Sequence, residues 1–133
     1  MKRLLTYTPI IAITLLIPLL SLVNPQKFPD AAIIRFTGAD KIIHAAMYAL
    51  LTLAWAHAFS IKMRTNLCLM LGTAFLVALY GLLMELCQYV FTSTRSMEMF
   101  DATANLVGAL CTAIIIYRLS LRRVAKNCTN RTK

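Results

Sequence analysis

Four long apolar runs, almost free of charge, constrain this chain more than any other feature of its sequence. They cover residues 4–23, 42–61, 67–91 and 102–119, and the charged residues within them are Glu85 and Arg118. An α-helix rises about 1.5 Å per residue, so roughly 20 residues cross a hydrocarbon core of about 30 Å. The first three runs reach that length and the fourth is slightly short. Because backbone groups in lipid must be hydrogen-bonded internally, each run is predicted to be a transmembrane helix.

The composition argues against the other classes of protein. Hydrophobic residues make up 59% of the chain and charged residues 14%, whereas soluble domains have about 45–50% and about 25%. This balance excludes a disordered chain and argues against a small water-soluble enzyme. The first run follows Lys2 and Arg3, as in a signal peptide, but it is long for an h-region and has no A-x-A cleavage site. We therefore predict a retained helix.

The distribution of Lys and Arg predicts the orientation of the helices. With the N-terminus inside, only four of the fourteen basic residues, Lys27, Arg35, Lys41 and Arg95, fall outside. The four runs predict an all-α, four-helix transmembrane bundle. The positive-inside rule then places both of its termini inside (N-in/C-in). We predict one domain of residues 1–133, a short interfacial segment at residues 31–36 in the first outer loop, and a basic cytoplasmic tail at residues 120–133 that lies against anionic lipid. Nucleic-acid binding by this tail is the weaker alternative, and we predict no nucleic-acid partner.

Polar residues gather near the predicted outer ends of three helices. They form stripes at helical spacing: Asp40, His44 and Tyr48 on the second helix, Glu85 and Gln88 on the third, and Asp101 and Asn105 on the fourth. Ionisable groups within a membrane are costly and normally face partners inside the bundle. The three stripes are therefore expected to face one another and to form an outward-facing polar pocket.

Glu85 and His44 are the candidate catalytic residues of this pocket. A carboxylate about 9 Å deep is costly unless His44 or Arg95 balances its charge, and histidine can move a proton near neutral pH. Lys41 and Arg95 are expected to hold an anionic head group. The predicted ligand-binding residues are Asp40, Lys41, Tyr48, Gln88, Arg95, Asp101 and Asn105.

A purely structural role is the alternative for the same side chains. Asp40 and Asp101 would cap helices, Lys41 would reach lipid phosphates from the surface, and His44 would pair with Glu85 as part of the bundle. A zinc centre normally needs several His, Cys, Asp or Glu in one place, and only one His lies in the predicted pocket. We therefore predict no metal and no cofactor.

The ordered set of these residues resembles the VanZ-like family of small bacterial membrane proteins. The resemblance covers about half of the chain, with departures at Thr92-Ser93-Thr94 and at Cys111. The residues that match are Asp40-Lys41-Ile42-Ile43-His44, Tyr48, Glu85-Leu86-Cys87-Gln88, Arg95, Asp101 and Asn105-Leu106-Val107-Gly108-Ala109. The resemblance implies a multi-pass protein of the bacterial cytoplasmic membrane and a link to resistance against the glycopeptide teicoplanin. It implies no particular reaction.

Three functions fit these residues, and they belong to different classes. The first is interaction with an envelope lipid or a lipid-linked cell-wall precursor, which would affect teicoplanin susceptibility. The second is an enzyme that acts on a lipid head group with Glu85 and His44 as acid and base. The third is a non-catalytic scaffold or modulator of a larger envelope protein complex. We favour the first and assign no enzymatic activity.

Overall fold

The computed structural model describes residues 2–22, 38–91 and 99–131, and this part of the chain is all-helical. The all-α prediction is therefore confirmed for the described residues. The predicted interfacial segment at residues 31–36 lies outside them. In chain order the helices are α1 (Lys2–Leu22), α2 (Ala39–Ala58), α3 (Ile61–Arg64), α4 (Leu67–Phe91) and α5 (Met99–Arg131).

The most extensive helix–helix contact joins α2 and α5. Gly108 of α5 lies against the backbone of Ala45, and a Cβ atom at Gly108 would overlap the Ala45 carbonyl group. Ala109 and Ala113 continue this contact as completely buried small residues. Small side chains allow helix backbones to approach closely, which is the usual way that helices pack within a membrane. Helix α4 packs on α5 and α2, and α1 packs on α2.

Large apolar side chains cover much of the outside of the helices. Leu15, Phe75, Leu76 and Val90 are between 64% and 70% exposed. Two helices, Leu67–Phe91 and Met99–Asn130, are long and apolar enough to cross a membrane, and Thr6–Leu20 is a shorter apolar helix. Only 28% and 22% of the most apolar windows of the two long helices are buried within the protein, whereas the core helix of a soluble protein is mostly buried. The exposed apolar surface indicates association with a membrane.

The structure differs from the sequence prediction in two helices: α5 is longer than predicted, and α3 is an additional short helix. The fourth apolar run was predicted to end at residue 119 and to be followed by a basic tail, but α5 continues to Arg131. No proline or glycine follows Gly108 in this helix, so nothing in the local sequence stops it. In addition, the single turn α3 joins the end of the second apolar run to residues 62–66 before the third run, and Ser60 Oγ accepts the backbone N–H of Met63 at 3.4 Å.

Candidate functional site

The three predicted polar stripes meet where α2 and α5 begin and α4 ends. Helix α2 contributes His44, α4 contributes Glu85, and α5 contributes Asp101 and Asn105. This meeting of the stripes confirms the prediction that they face one another. We call the buried side chains at this point the polar cluster. Its members, each at most 8% exposed, are His44, Tyr48, Glu85, Gln88, Asp101 and Asn105.

The imidazole of His44 lies at the centre of the polar cluster. Its Nδ1 atom is 3.2 Å from Asn105 Oδ1 and 3.5 Å from Glu85 Oε1. Its Nε2 atom is 4.0 Å from Asp101 Oδ2. Each ring nitrogen therefore faces at least one oxygen atom. Through these contacts, His44 connects α2 to both α4 and α5.

Lys41 and Asp40 connect the polar cluster to the surface. Lys41 Nζ is 2.9 Å from Asp40 Oδ2 and 3.3 Å from Asp101 Oδ1. The side chains of Asp40 and Lys41 are 49% and 35% exposed, whereas that of Glu85 is 2% exposed. A continuous series of polar contacts thus runs from the exposed edge of α2 to the buried carboxylate of Glu85.

The interpretation of Asp40 as a helix cap is wrong. The N-cap of α2 is Gly38, which has φ 96° and makes no side-chain cap hydrogen bond, and Asp40 lies within the first turn. A left-handed backbone of this kind favours glycine, which explains the residue type at this position. Asp101 also lies in the first turn of its helix, as the third residue of α5. Its carboxylate faces Lys41 and His44, so it does more than occupy a helix end.

Tyr48 and Asn105 meet one turn deeper, beside Gly81 of α4. A Cβ atom at Gly81 would lie 2.9 Å from Asn105 Nδ2 and 3.0 Å from the Tyr48 ring. Gly81 was not among the predicted site residues, although it lies one turn before Glu85 on the same helix, which was the available signal. Both Tyr48 and Asn105 are completely buried, and within residues 2–22, 38–91 and 99–131 neither Tyr48 Oη nor Asn105 Nδ2 has a hydrogen-bond partner.

The remaining candidate residues differ in how far the structure describes them. Gln88 is 2% exposed and lies one turn after Glu85 on α4. Arg95 lies outside the described residues, so its role as an anion-binding residue stays a prediction. His57, which was not assigned to the site, is exposed at the other end of α2.

The polar cluster also brings together three side chains of the kinds that bind metal ions. One ligand atom from each of His44, Glu85 and Asp101 lies within 4.8 Å of the other two. The prediction of no metal site was based on the presence of a single histidine in the pocket. The short distance between Asp101 and this histidine was not predicted. Two carboxylates and one imidazole at this spacing are a possible ligand set for a divalent cation.

Comparisons of the chain with protein-family models, with curated proteins and with solved structures found no match. The resemblance to the VanZ-like family therefore stays a prediction that rests on the residues quoted above.

Proposed function

We propose that this chain is a VanZ-like protein that crosses a bacterial cytoplasmic membrane four times, with both termini inside. Helices α1 and α2, of 21 and 20 residues, would add two spans to α4 and α5. Helix α2 is less apolar because it includes Asp40, Lys41 and two histidines, but its charged residues lie in its first turn. The excess of Lys and Arg in α3 and at the end of α5 supports this orientation.

This topology can be tested with reporters fused after residue 133. A fluorescent protein that folds only in the cytoplasm is expected to fluoresce, and alkaline phosphatase, which is active only outside, is expected to stay inactive. Both reporters fused after residue 95 should give the opposite pattern, because that position is predicted to be outside. An active phosphatase at residue 133 would contradict the proposed orientation.

The proposed function is binding of an anionic envelope lipid, or of a lipid-linked cell-wall precursor, at the polar cluster. The observation that supports it is the series of polar groups from exposed Lys41 to buried Glu85. A head group could approach Lys41 from the membrane surface and reach the buried donors of Tyr48 and Asn105. Such binding would connect the protein to glycopeptide susceptibility, because lipid-linked precursors are the source of new cell wall.

An apolar groove adjoins the polar cluster and suits the lipid tail. It has a volume of about 640 Å³ and is lined by residues of α1, α2 and α4, including Leu51, Trp55, Leu76 and Tyr80. The rings of Tyr48 and Tyr80 are 6.4 Å apart, so the groove begins directly beside the cluster. A polar site next to an apolar groove matches the amphipathic shape of a lipid.

Replacing Lys41 by Gln is expected to reduce selectivity for anionic lipid at least tenfold, because the substitution removes the charge at the entrance of the site. Spin-labelled phosphatidylglycerol and phosphatidylcholine in reconstituted vesicles would measure the relative association of each lipid with the protein. Lys62→Gln is the matched control, since Lys62 is exposed in α3 at the opposite end of α2. Equal selectivity in Lys41→Gln and wild type would contradict the proposal.

A reaction on the same head group is the second candidate function. The 3.5 Å separation of His44 Nδ1 and Glu85 Oε1 favours it, because paired groups of this kind can exchange a proton with a bound substrate. Incubation with a bacterial lipid extract, followed by mass spectrometry of the lipids, would detect turnover. Turnover that survives Glu85→Gln would contradict the acid–base assignment.

A further inference from the structure

We propose that His44, Glu85 and Asp101 bind a divalent first-row transition-metal ion such as Mn²⁺ or Zn²⁺. Their ligand atoms come from three different helices and lie within 4.8 Å of one another. Ligands at about 2.1 Å from a tetrahedral ion lie about 3.4 Å apart. A histidine offers one nitrogen to an ion. His44 Nε2 lies 4.0 Å from Asp101 Oδ2, close to this spacing, and a small shift of the side chains would bring the Glu85 carboxylate to the same ion.

The chemistry of the three side chains selects the class of ion. An imidazole suits Zn²⁺, Fe²⁺ and similar ions, whereas Mg²⁺ and Ca²⁺ prefer oxygen ligands alone. Two carboxylates beside one imidazole therefore favour a transition metal that accepts both nitrogen and oxygen.

Neighbouring side chains are placed to support these ligands. If Nε2 of His44 binds the ion, the N–H at Nδ1 can be donated to Asn105 Oδ1 at 3.2 Å. Asp101 faces His44 with Oδ2, and its other oxygen lies 3.3 Å from Lys41 Nζ. Metal-binding histidines are usually oriented by such a hydrogen bond from the second ring nitrogen, and Asp101 has an ion pair with Lys41 beside it.

A separate observation points to a bound group at the same place. Among the described residues, three buried polar atoms have no hydrogen-bond partner: Asp101 Oδ1, which has only its ion pair with Lys41, and the donors Tyr48 Oη and Asn105 Nδ2 one turn deeper. Buried polar groups are nearly always paired. Asn105 Nδ2 belongs to the same side-chain amide as the Oδ1 atom that contacts His44. A metal-bound water or a phosphate oxygen next to the three ligands could therefore accept hydrogen bonds from these donors.

The charges around the site suggest that the ion helps to bind the lipid head group. This inference rests on the proposed function. In the described part of the site, the carboxylates of Asp40 and Asp101 flank the ammonium group of Lys41, and a third carboxylate, Glu85, lies behind them beside His44. Carboxylates repel an anionic head group. A divalent cation would neutralise two of these charges and would bind a phosphate oxygen of the lipid directly.

Titration of the detergent-purified, chelator-treated full chain with MnCl₂ tests the metal site without any lipid. The six-line electron paramagnetic resonance signal of free Mn²⁺ is expected to disappear up to one ion per chain. Pulsed measurements on the bound ion should show coupling to one imidazole nitrogen. Glu85→Gln and His44→Gln are each expected to weaken binding at least tenfold, because even the loss of a supporting residue costs 10–100-fold. His57→Gln replaces the other histidine of the chain, which is exposed, and should bind as wild type does.

The wild-type spectrum keeps the test decisive even if a variant fails to fold. Absence of bound Mn²⁺ and Zn²⁺ at millimolar concentration, or bound Mn²⁺ without imidazole coupling, would overturn the metal site. Unchanged affinity in folded Glu85→Gln and His44→Gln would overturn it as well. Anionic-lipid selectivity that survives complete removal of metal would overturn the bridging role while leaving the lipid proposal intact. Metal binding without any lipid selectivity would support the metal site and contradict the proposed function.

Discussion

Replacing Gly108 by Ala is expected to lower the free energy of unfolding by about 3 kcal/mol, at the upper end of the usual cost of overpacking. The added Cβ atom would overlap the carbonyl oxygen, carbonyl carbon and Cα atom of Ala45. These are backbone atoms, so no side-chain rotation can relieve the overlap, and α2 and α5 must move apart. Reversible unfolding in mixed micelles of increasing SDS content measures this loss.

Gly72→Ala is the matched control for this substitution. Gly72 lies within α4, and a Cβ atom there would have no other atom within 4 Å. Because alanine is favoured over glycine in a helix by about 1 kcal/mol, Gly72→Ala is expected to leave stability unchanged or slightly raised. Equal destabilisation by the two substitutions would show that the close contact of α2 and α5 is not what makes Gly108 necessary.

The second large effect is expected from separating His44 and Glu85. The two side chains are 7% and 2% exposed and lie 3.5 Å apart. Leaving a buried polar group without its partner typically costs about 1–3 kcal/mol, and more when that group is charged. We therefore expect His44→Leu and Glu85→Leu each to lower the free energy of unfolding by about that amount. The double substitution should cost less than the sum by about 1–3 kcal/mol.

The same unfolding assay provides the control for this cycle. His57→Leu combined with Glu85→Leu should be additive, because His57 is exposed at the opposite end of α2. Additive losses for His44 and Glu85 would mean that the two side chains do not interact, in conflict with their 3.5 Å separation.

The sequence predicted the helices and the facing stripes because both follow from helical periodicity. Spacings of three or four residues put His44 with Tyr48 and Glu85 with Gln88 on single faces, and the cost of polar groups in lipid turns those faces toward each other. No such rule predicts where two helices come closest. That depth depends on small residues such as Gly81 and Gly108, whose importance appears only when Tyr48, Asn105 and Ala45 are in place.

The end of α5 and the distances between the metal-binding side chains could not be predicted from the sequence either. The basic residues after Leu119 suggested a tail, but charged residues such as Arg122 and Arg123 are good helix formers, and α5 continues through them. Asp101 was predicted to belong to the pocket, yet its distance from His44 depends on the rotation of α5 about its axis. If the carboxylate were one position earlier or later in α5, it would point about 100° away from the imidazole. Only the structure could therefore show a possible metal site.

Native mass spectrometry of the protein purified in detergent from a bacterial membrane tests the central claim most directly. If the polar cluster is a lipid site, one class of anionic lipid or lipid-linked precursor should remain bound at about one molecule per chain when other lipids are removed. Its retention should fall in Lys41→Gln and persist in Lys62→Gln. Retention of neutral and anionic lipids in equal, gradually declining amounts would contradict the claim that the polar cluster is a lipid site.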